Sequence, residues 1–266
     1  MRTRRQFDLI SRPWSFKLLE TAAPLAGYPR VKRLIPWFRP RDFSVSCIPV
    51  NQEIGLPDNT PLPAVILEDF IARASHRVIV DYCACRKAFA CKRYPSEVGC
   101  LMMGKAALQI GPQVSREVSV DEALAHARKA IDAGLIPLIG KVRMDNLVFG
   151  IHGNKQLLST CFCCECCCIS RYARHVPPAI RSDHLVRLEG LEIKVTDECD
   201  GCGACAKRCF LQEITIEDGR AVIGEGCAGC GRCATVCKRD AIDIRLDNPG
   251  FIAEMRNRIE ALVDFG

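Results

Sequence analysis

Nineteen cysteines among 266 residues dominate the chemistry this sequence could perform. Cys199, Cys202, Cys205 and Cys209 follow a C-x2-C-x2-C-x3-C pattern, and Cys227, Cys230, Cys233 and Cys237 repeat it 28 residues later. Thiolates are soft ligands suited to iron–sulfur clusters or zinc. Three cysteines at intervals of three let the backbone wrap one corner of a cubane. Zinc modules more often present two C-x2-C knuckles separated by a spacer. The spacing therefore favours iron–sulfur clusters. Gly201, Gly203, Gly229 and Gly231 lie between the ligands, where a missing Cβ lets backbone amides approach sulfur. Each such amide bond stabilises the reduced, more negative state.

The duplicated pattern resembles that of bacterial-type 2[4Fe–4S] ferredoxins, over about a quarter of the chain. The resemblance implies a pseudo-twofold, ferredoxin-like βαββαβ dicluster domain in which the fourth cysteine of each run serves the other cluster. It assigns Cys199, Cys202, Cys205 and Cys237 to one cluster and Cys227, Cys230, Cys233 and Cys209 to the second. The proline that commonly follows the fourth cysteine is Phe210 in one copy and Lys238 in the other. Lys238, beside Cys237, is expected to raise the first cluster's potential by favouring the added electron. A domain of roughly 60 residues has little core of its own, so bound clusters would act as staples.

A second cysteine group lies upstream. Cys83, Cys85, Cys91 and Cys100 form one set, and Cys161, Cys163, Cys164, Cys166, Cys167 and Cys168 crowd into eight residues. Adjacent cysteines normally point in different directions, so one metal cannot use all six of the second run. This layout resembles a group of poorly characterised iron–sulfur proteins of anaerobic microbes, on Cys83-Ala-Cys85-Arg86, Cys91, Gly99-Cys100-Leu101 and Cys161-Phe-Cys163-Cys164-Glu-Cys166-Cys167-Cys168. The resemblance spans residues 46–247 and implies a redox role without naming a substrate. Three readings stay open for these ten cysteines: an additional iron–sulfur cluster, which is preferred, structural zinc, or thiols that cycle through a disulfide such as Cys163/Cys166 or Cys164/Cys167. Cys47 stands alone and reads as a buried small hydrophobe. Arg86 and Lys87 could lower nearby thiol pKa values, or form a solvated basic face. His152 reads as a polar loop residue. No glycine-rich phosphate cradle supports a bound nucleotide.

Four regions must position these groups: a basic, aromatic segment at 1–45, a cysteine-rich α/β module at 46–185, the ferredoxin-type domain at 186–247, and a terminal helix at 248–266. In the second region, residues 61–75 read as a helix and residues 78–80 as a strand leading into Cys83. Ser119 and Glu122 form a capping box for a helix ending near Ala133, with Gly134 as its stop. Residues 135–139 and 147–151 are candidate strands. Phe251, Met255, Ile259 and Leu262 recur at helical spacing. The apolar segments 213–216 and 241–244 follow the two cysteine runs. The fold class expected is α+β.

Residues 1–41 carry ten Lys and Arg against Asp8 and Glu20, a local charge of +8 where the whole chain has +6. With Phe7, Trp14, Phe16, Tyr28, Trp37 and Phe38, this mixture suits an extended arm over the acidic ferredoxin-type region, a redox protein partner, or peripheral contact with an anionic membrane. Nucleic acid is the least favoured partner. No apolar run approaches the roughly 18–20 residues that span a bilayer, and the N-terminus lacks the features of a secretory signal. Abundant cysteines clumped at metal-ligand spacing then suggest a reducing cytoplasm. The favoured function is iron–sulfur electron transfer, with a dicluster module relaying electrons to or from the upstream cysteine centre. The alternative is a redox enzyme, a disulfide reductase or reductive activase, whose catalytic centre is that group.

Overall fold

Strands β1 (Phe43–Cys47), β2 (Arg77–Val80), β3 (Leu101–Met103), β4 (Ser115–Glu117), β5 (Ile136–Val142) and β6 (Leu158–Cys163) form one sheet in the order β1-β5-β6-β3-β2-β4. This is the computed structural model, which describes residues 4–10, 12–28, 30, 39–49, 62–153 and 155–266. Every pair of neighbouring strands in the sheet is antiparallel. The cysteine-rich region is thus mixed helix and strand as expected, but without the parallel pairing of a true α/β domain, and the chain is α+β.

Helices α3 (Leu62–Arg73) and α5 (Val120–Asp132) pack together against the sheet and bury Ile66, Phe70, Ile71, Ala123, Ala127 and Ala130. The capping box forms as expected: the Glu122 amide donates to Ser119 Oγ at 3.2 Å, and the Ser119 amide donates to Glu122 Oε2 at 3.0 Å. Such a reciprocal cap satisfies two otherwise orphaned amides. Gly134 follows at φ 77°.

Residues 147–151 are not a strand. Arg143–Phe149 forms helix α6, closed by Gly150 in the left-handed region at φ 67°. Asp145 occupies the first turn, where the helix dipole favours a carboxylate. Leu147 is 55% exposed while Phe149 is buried. The apolar run therefore divides between two helix faces and does not fill a ladder. Its place beside β5 is taken by β6, which contains Cys161 and Cys163.

Further along, helix α7 (Pro178–His184), β7 (Leu191–Val195), the short helix α8 (Ala204–Arg208), β8 (Ile214–Glu217), β9 (Arg220–Ile223), a 3₁₀ turn (Ala234–Val236) and β10 (Ile242–Leu246) follow in order. β7 pairs with β10 and β8 with β9, both antiparallel. The terminal helix α9 (Phe251–Glu260) buries Phe251, Met255 and Ile259 as the periodicity predicts. It docks on the cysteine-rich region: Arg256 reaches Asp69 at 2.6 Å and 3.0 Å, and Arg258 donates to the hydroxyls of Ser44 and Ser46 at 2.7 Å each.

The basic segment forms helices α1 (Arg4–Ile10) and α2 (Pro13–Ala22). They do not lie as an arm over the acidic region; they cover the cysteine-rich one. Phe7 is buried against Phe149 and Tyr82, with ring centroids 5.1 Å and 5.6 Å away, and Phe16 meets Phe89 at 5.6 Å. Glu20 pairs with Arg171 at 2.9 Å. Apolar burial fixes the docking site, because these rings find an apolar wall there. Trp14 and Leu18 remain exposed. Arg2, Lys32, Arg33, Trp37, Phe38 and Pro61 lie outside the described residues.

Candidate metal centre

The turn after β6 runs through Cys164, Cys166, Cys167 and Cys168, and Cys91 approaches it from the loop that follows helix α4 (Ala84–Ala88). That loop is aimed by Ala90, which takes a left-handed φ of 45°, and by the Cys91 amide, which donates to Arg86 O at 2.9 Å. The result is a group of four sulfurs, Cys91, Cys164, Cys166 and Cys167, all within 4.8 Å of one another. The Cys91–Cys166 and Cys166–Cys167 sulfur pairs are each 3.6 Å apart. Among the described residues no histidine or carboxylate joins the group, and an all-sulfur set of four suits a thiophilic metal or an iron–sulfur cluster. With the high cysteine content, the group indicates metal binding.

Burial pushes the Cys164 thiol up, and pushes Cys167 up to about 12. For Cys91 burial acts in the same direction. Amide hydrogen bonds from Arg93 and Tyr94, with thiol hydrogen bonds from Cys167 and Cys166, outweigh it and bring Cys91 below its ordinary value. The protein alone thus favours one thiolate among several thiols. A cation reverses that balance, since coordination deprotonates a thiol outright.

Adjacent cysteines diverge at Cys163–Cys164 and at Cys167–Cys168, whereas Cys166 and Cys167 join the same group. Cys164 and Cys167 face this group, whereas Cys163 and Cys168 turn the other way, with their sulfurs 2.8 Å apart. Cys85 is hydrogen-bonded to both Cys168 and Cys83, which pushes its own thiol well up. Cys168 is held well below the usual thiol range by Cys163 and then Cys85, and Cys83 falls to about 7, chiefly through Cys85. Cys83, Cys85, Cys163 and Cys168 therefore form a second sulfur set. Arg86 organises it. Only 1% exposed, its guanidinium donates to Pro95 O at 2.8 Å, Phe162 O at 2.6 Å and Val98 O, tying the Cys83–Cys100 loop to β6. It also lowers the Cys83 thiol. Of the expected basic face only Lys87 is exposed, paired with Asp8 at 3.1 Å.

Cys100 and Cys161 remain, their sulfurs 3.6 Å apart. They line a cavity of about 320 Å³ that also receives Cys83, Cys85, Cys163 and Cys168. Its other walls are largely apolar, and include Phe7 and Phe16 from the N-terminal helices. Asp145 also lines it. Burial pushes this carboxyl up to about 6, and its Oδ2 has no hydrogen-bond partner among the described residues.

In the C-terminal region, Cys199, Cys202, Cys205 and Cys237 line one small cavity, so the last cysteine of the second run joins the first three of the first. Burial first, and then the neighbouring Cys227 and Cys209, push Cys230 up to about 12. Burial first, and then Cys230 with the same two neighbours, raise Cys233. Backbone amides face the sulfurs: Glu213 donates to Cys209 at 3.3 Å and Ala241 to Cys237 at 3.3 Å, equivalent positions of the two repeats. Gly201, Gly203, Gly229 and Gly231 have φ between 68° and 73°. At Gly201 a Cβ would come within 2.3 Å of Gly219 O.

Cys47 is fully buried as expected, and burial first, then Cys230, Cys227 and Cys168, push its thiol up. His152 is an exposed loop residue whose backbone meets the Gln109 side chain. Sequence reasoning passed over Glu165, which lies inside the cysteine turn yet is nearly covered. Its carboxylate accepts from Tyr94 Oη at 2.9 Å and pairs with Arg93 at 3.1 Å, with Arg208 of α8 and with Arg232. An acidic residue lodged among metal-type thiols was the one signal available. The chain matches no family model, no curated protein and no solved structure in comparisons with known proteins.

Proposed function

We propose that this is an iron–sulfur electron-transfer protein, in which a ferredoxin-like dicluster module at residues 186–247 relays electrons to or from the upstream thiol-rich centre. The observation that carries this reading is the small cavity shared by Cys199, Cys202, Cys205 and Cys237. A ligand set drawn from both runs is the interleaved division of a two-cluster ferredoxin, whereas independent zinc knuckles keep their ligands local. The βαβ-β-β order with a 3₁₀ turn in the second helical position, the amide donors at Cys209 and Cys237, and the left-handed glycines fit the same reading. Bound clusters supply one-electron chemistry; the chain holds them, screens them from water and sets their charge environment. Cys91, Cys164, Cys166 and Cys167 would hold a further centre.

Iron and acid-labile sulfide analysis of anaerobically purified protein tests the proposal, together with paramagnetic resonance after reduction. About eight irons for the dicluster module, rising with each upstream cluster, is the expected result. Stoichiometric zinc without sulfide at the C-terminal cysteines would sink it. A redox protein partner is the expected electron source. The exposed Trp14 and Leu18, beside Arg12 and Lys17, offer such a partner a mixed apolar and basic face. Among the described residues no helix is long and apolar enough to cross a membrane. The cavity beside Cys83 and Cys85 favours a second reading, in which the upstream centre is also the site of a reaction.

A further inference from the structure

Cys100 and Cys161 differ from the other upstream cysteines in how they are held. The β3–β6 register pairs Leu101 with Thr160, so the next antiparallel step sets Cys100 opposite Cys161. Directly opposed residues have Cβ atoms about 4.5–5.5 Å apart, and a disulfide wants about 3.5–4.5 Å. With the sulfurs already 3.6 Å apart, small side-chain rotations and a slight closing of the strands join them. Both sulfurs line the 320 Å³ cavity, a size within the range of small-molecule sites. Phe7, Tyr82 and Phe149 give it an aromatic wall. The buried Oδ2 of Asp145, without a hydrogen-bond partner among the described residues, is a polar group of the kind that orients a ligand in such a chamber.

We propose that Cys100 and Cys161 form a redox-active dithiol that reduces a small apolar disulfide bound in this cavity. One cysteine attacks a substrate sulfur as its thiolate, forming a mixed disulfide and breaking the substrate S–S bond. The first product thiol leaves with a proton. The second cysteine attacks the mixed disulfide, releases the second product thiol, and closes the Cys100–Cys161 bond. Two cysteine thiols and one substrate disulfide thus become one protein disulfide and two product thiols. Regeneration takes two protons from solvent and two electrons delivered singly by one-electron iron–sulfur carriers. That half rests on the function proposed above; the exchange half does not.

The test uses reduced holoprotein under anaerobic conditions, with diphenyl disulfide as the apolar probe and cystine as the charged one. Two thiols released per protein, together with a Cys100–Cys161 linked peptide by mass spectrometry, is the expected result. Cystine should react about tenfold more slowly or worse, since its charges resist burial. One of the single variants, Cys100→Ser or Cys161→Ser, should stop at a mixed disulfide after one thiol. The double variant should give no linked peptide and no release beyond that of the remaining exposed thiols. Undiminished release from the double variant overturns the proposal. So does loss of about four irons from that variant with its fold intact by circular dichroism, because the pair would then be cluster ligands. That second outcome leaves the electron-transfer reading standing. Wild-type protein without iron would sink the electron-transfer reading and leave the exchange assay valid.

Discussion

Arg232 Nη1 lies 2.9 Å from Glu165 Oε2, and the two side chains are only 6% and 7% exposed. Glu165 stands between Cys164 and Cys166, and Arg232 between Cys230 and Cys233. One ion pair therefore joins two thiol-rich regions, a single residue from a sulfur at each side. Tyr94 Oη accepts from Arg232 Nη1 at 2.8 Å and donates to Glu165, and Arg232 Nη2 donates to Gly134 O at 2.9 Å. Both charges are nearly covered, so removing either partner strands the other as a buried charge.

Such a loss costs about 3–5 kcal/mol, so Glu165→Gln and Arg232→Met should each lower unfolding stability by that order. Arg93, 60% exposed, also touches Glu165. Its replacement by Ala should cost no more than about 1 kcal/mol. Urea unfolding of anaerobic protein measures all three. Burial alone would raise the Glu165 pKa, but a backbone amide and then Arg232 and Tyr94 hold it below the ordinary carboxylate range. A depressed pKa contributes stability at neutral pH that is lost as pH falls through the folded value. The gap between wild type and Glu165→Gln should therefore stay constant from pH 8 to mildly acid conditions and close only below the usual carboxylate range.

Metal occupancy should separate Cys91 from Cys47. Cys91→Ser removes one of four converging sulfurs and should cost the protein that centre's metal, read as metal per chain. Cys47→Ala removes a buried sulfur outside the group of four and should leave metal content unchanged, at a stability cost of about 1 kcal/mol. Because burial holds Cys164 and Cys167 protonated in the absence of a cation, metal binding must release protons. Apparent affinity in chelator competition should consequently be weaker at pH 6 than at pH 8. An affinity independent of pH would show that the group does not bind through its thiols.

A methyl group at Gly201 should disturb the first C-terminal sulfur set. The position combines φ 68° with a Cβ that would approach Gly219 O within 2.3 Å. A left-handed non-glycine residue costs roughly 1–2 kcal/mol before any clash. Gly201→Ala should therefore lower iron content. Gly153→Ala, where a Cβ meets nothing within 4 Å, should retain it. Equal iron in both variants would show that the loop around Cys199 and Cys202 does not need its present course.

What the sequence revealed depended on how local the governing interaction is. The capping box at Ser119 and Glu122 spans three residues, and α5 begins where it says. The glycines at 201, 203, 229 and 231 marked close backbone approach from their place between ligands, and all four take the left-handed φ that local sterics reserve largely for glycine. Strand β6 was hidden because Cys161 and Cys163, small and apolar, serve as buried strand residues while looking like ligands in a loop. With β6 unseen, residues 147–151 looked like the next strand, and the exposure of Leu147 that marks a helix depends on contacts no window displays. Glu165 was missed for a related reason: Tyr94 lies 71 residues away, Arg93 72 and Arg208 43. The sorting of ten upstream cysteines into two sets and a pair likewise depends on the β3–β6 register.

Asp145 gives a prediction of opposite sign to Glu165. Burial raises its pKa to about 6, above the value near 4 of an unfolded chain. The folded state thus binds the proton more tightly, and this contribution to stability is fully present below pH 4 and lost as pH rises through about 6. Asp145→Asn keeps the shape and removes the ionisation. The variant should be no more stable than wild type at pH 4 and more stable at pH 8, by at most about 3 kcal/mol for a shift of roughly two units. Thermal unfolding of both proteins across that range measures the difference. If wild type instead gains on the variant as pH passes 6, a bound partner must be holding the carboxylate ionised inside the cavity. The Asp145 contribution would then belong to ligand recognition and not to the empty fold.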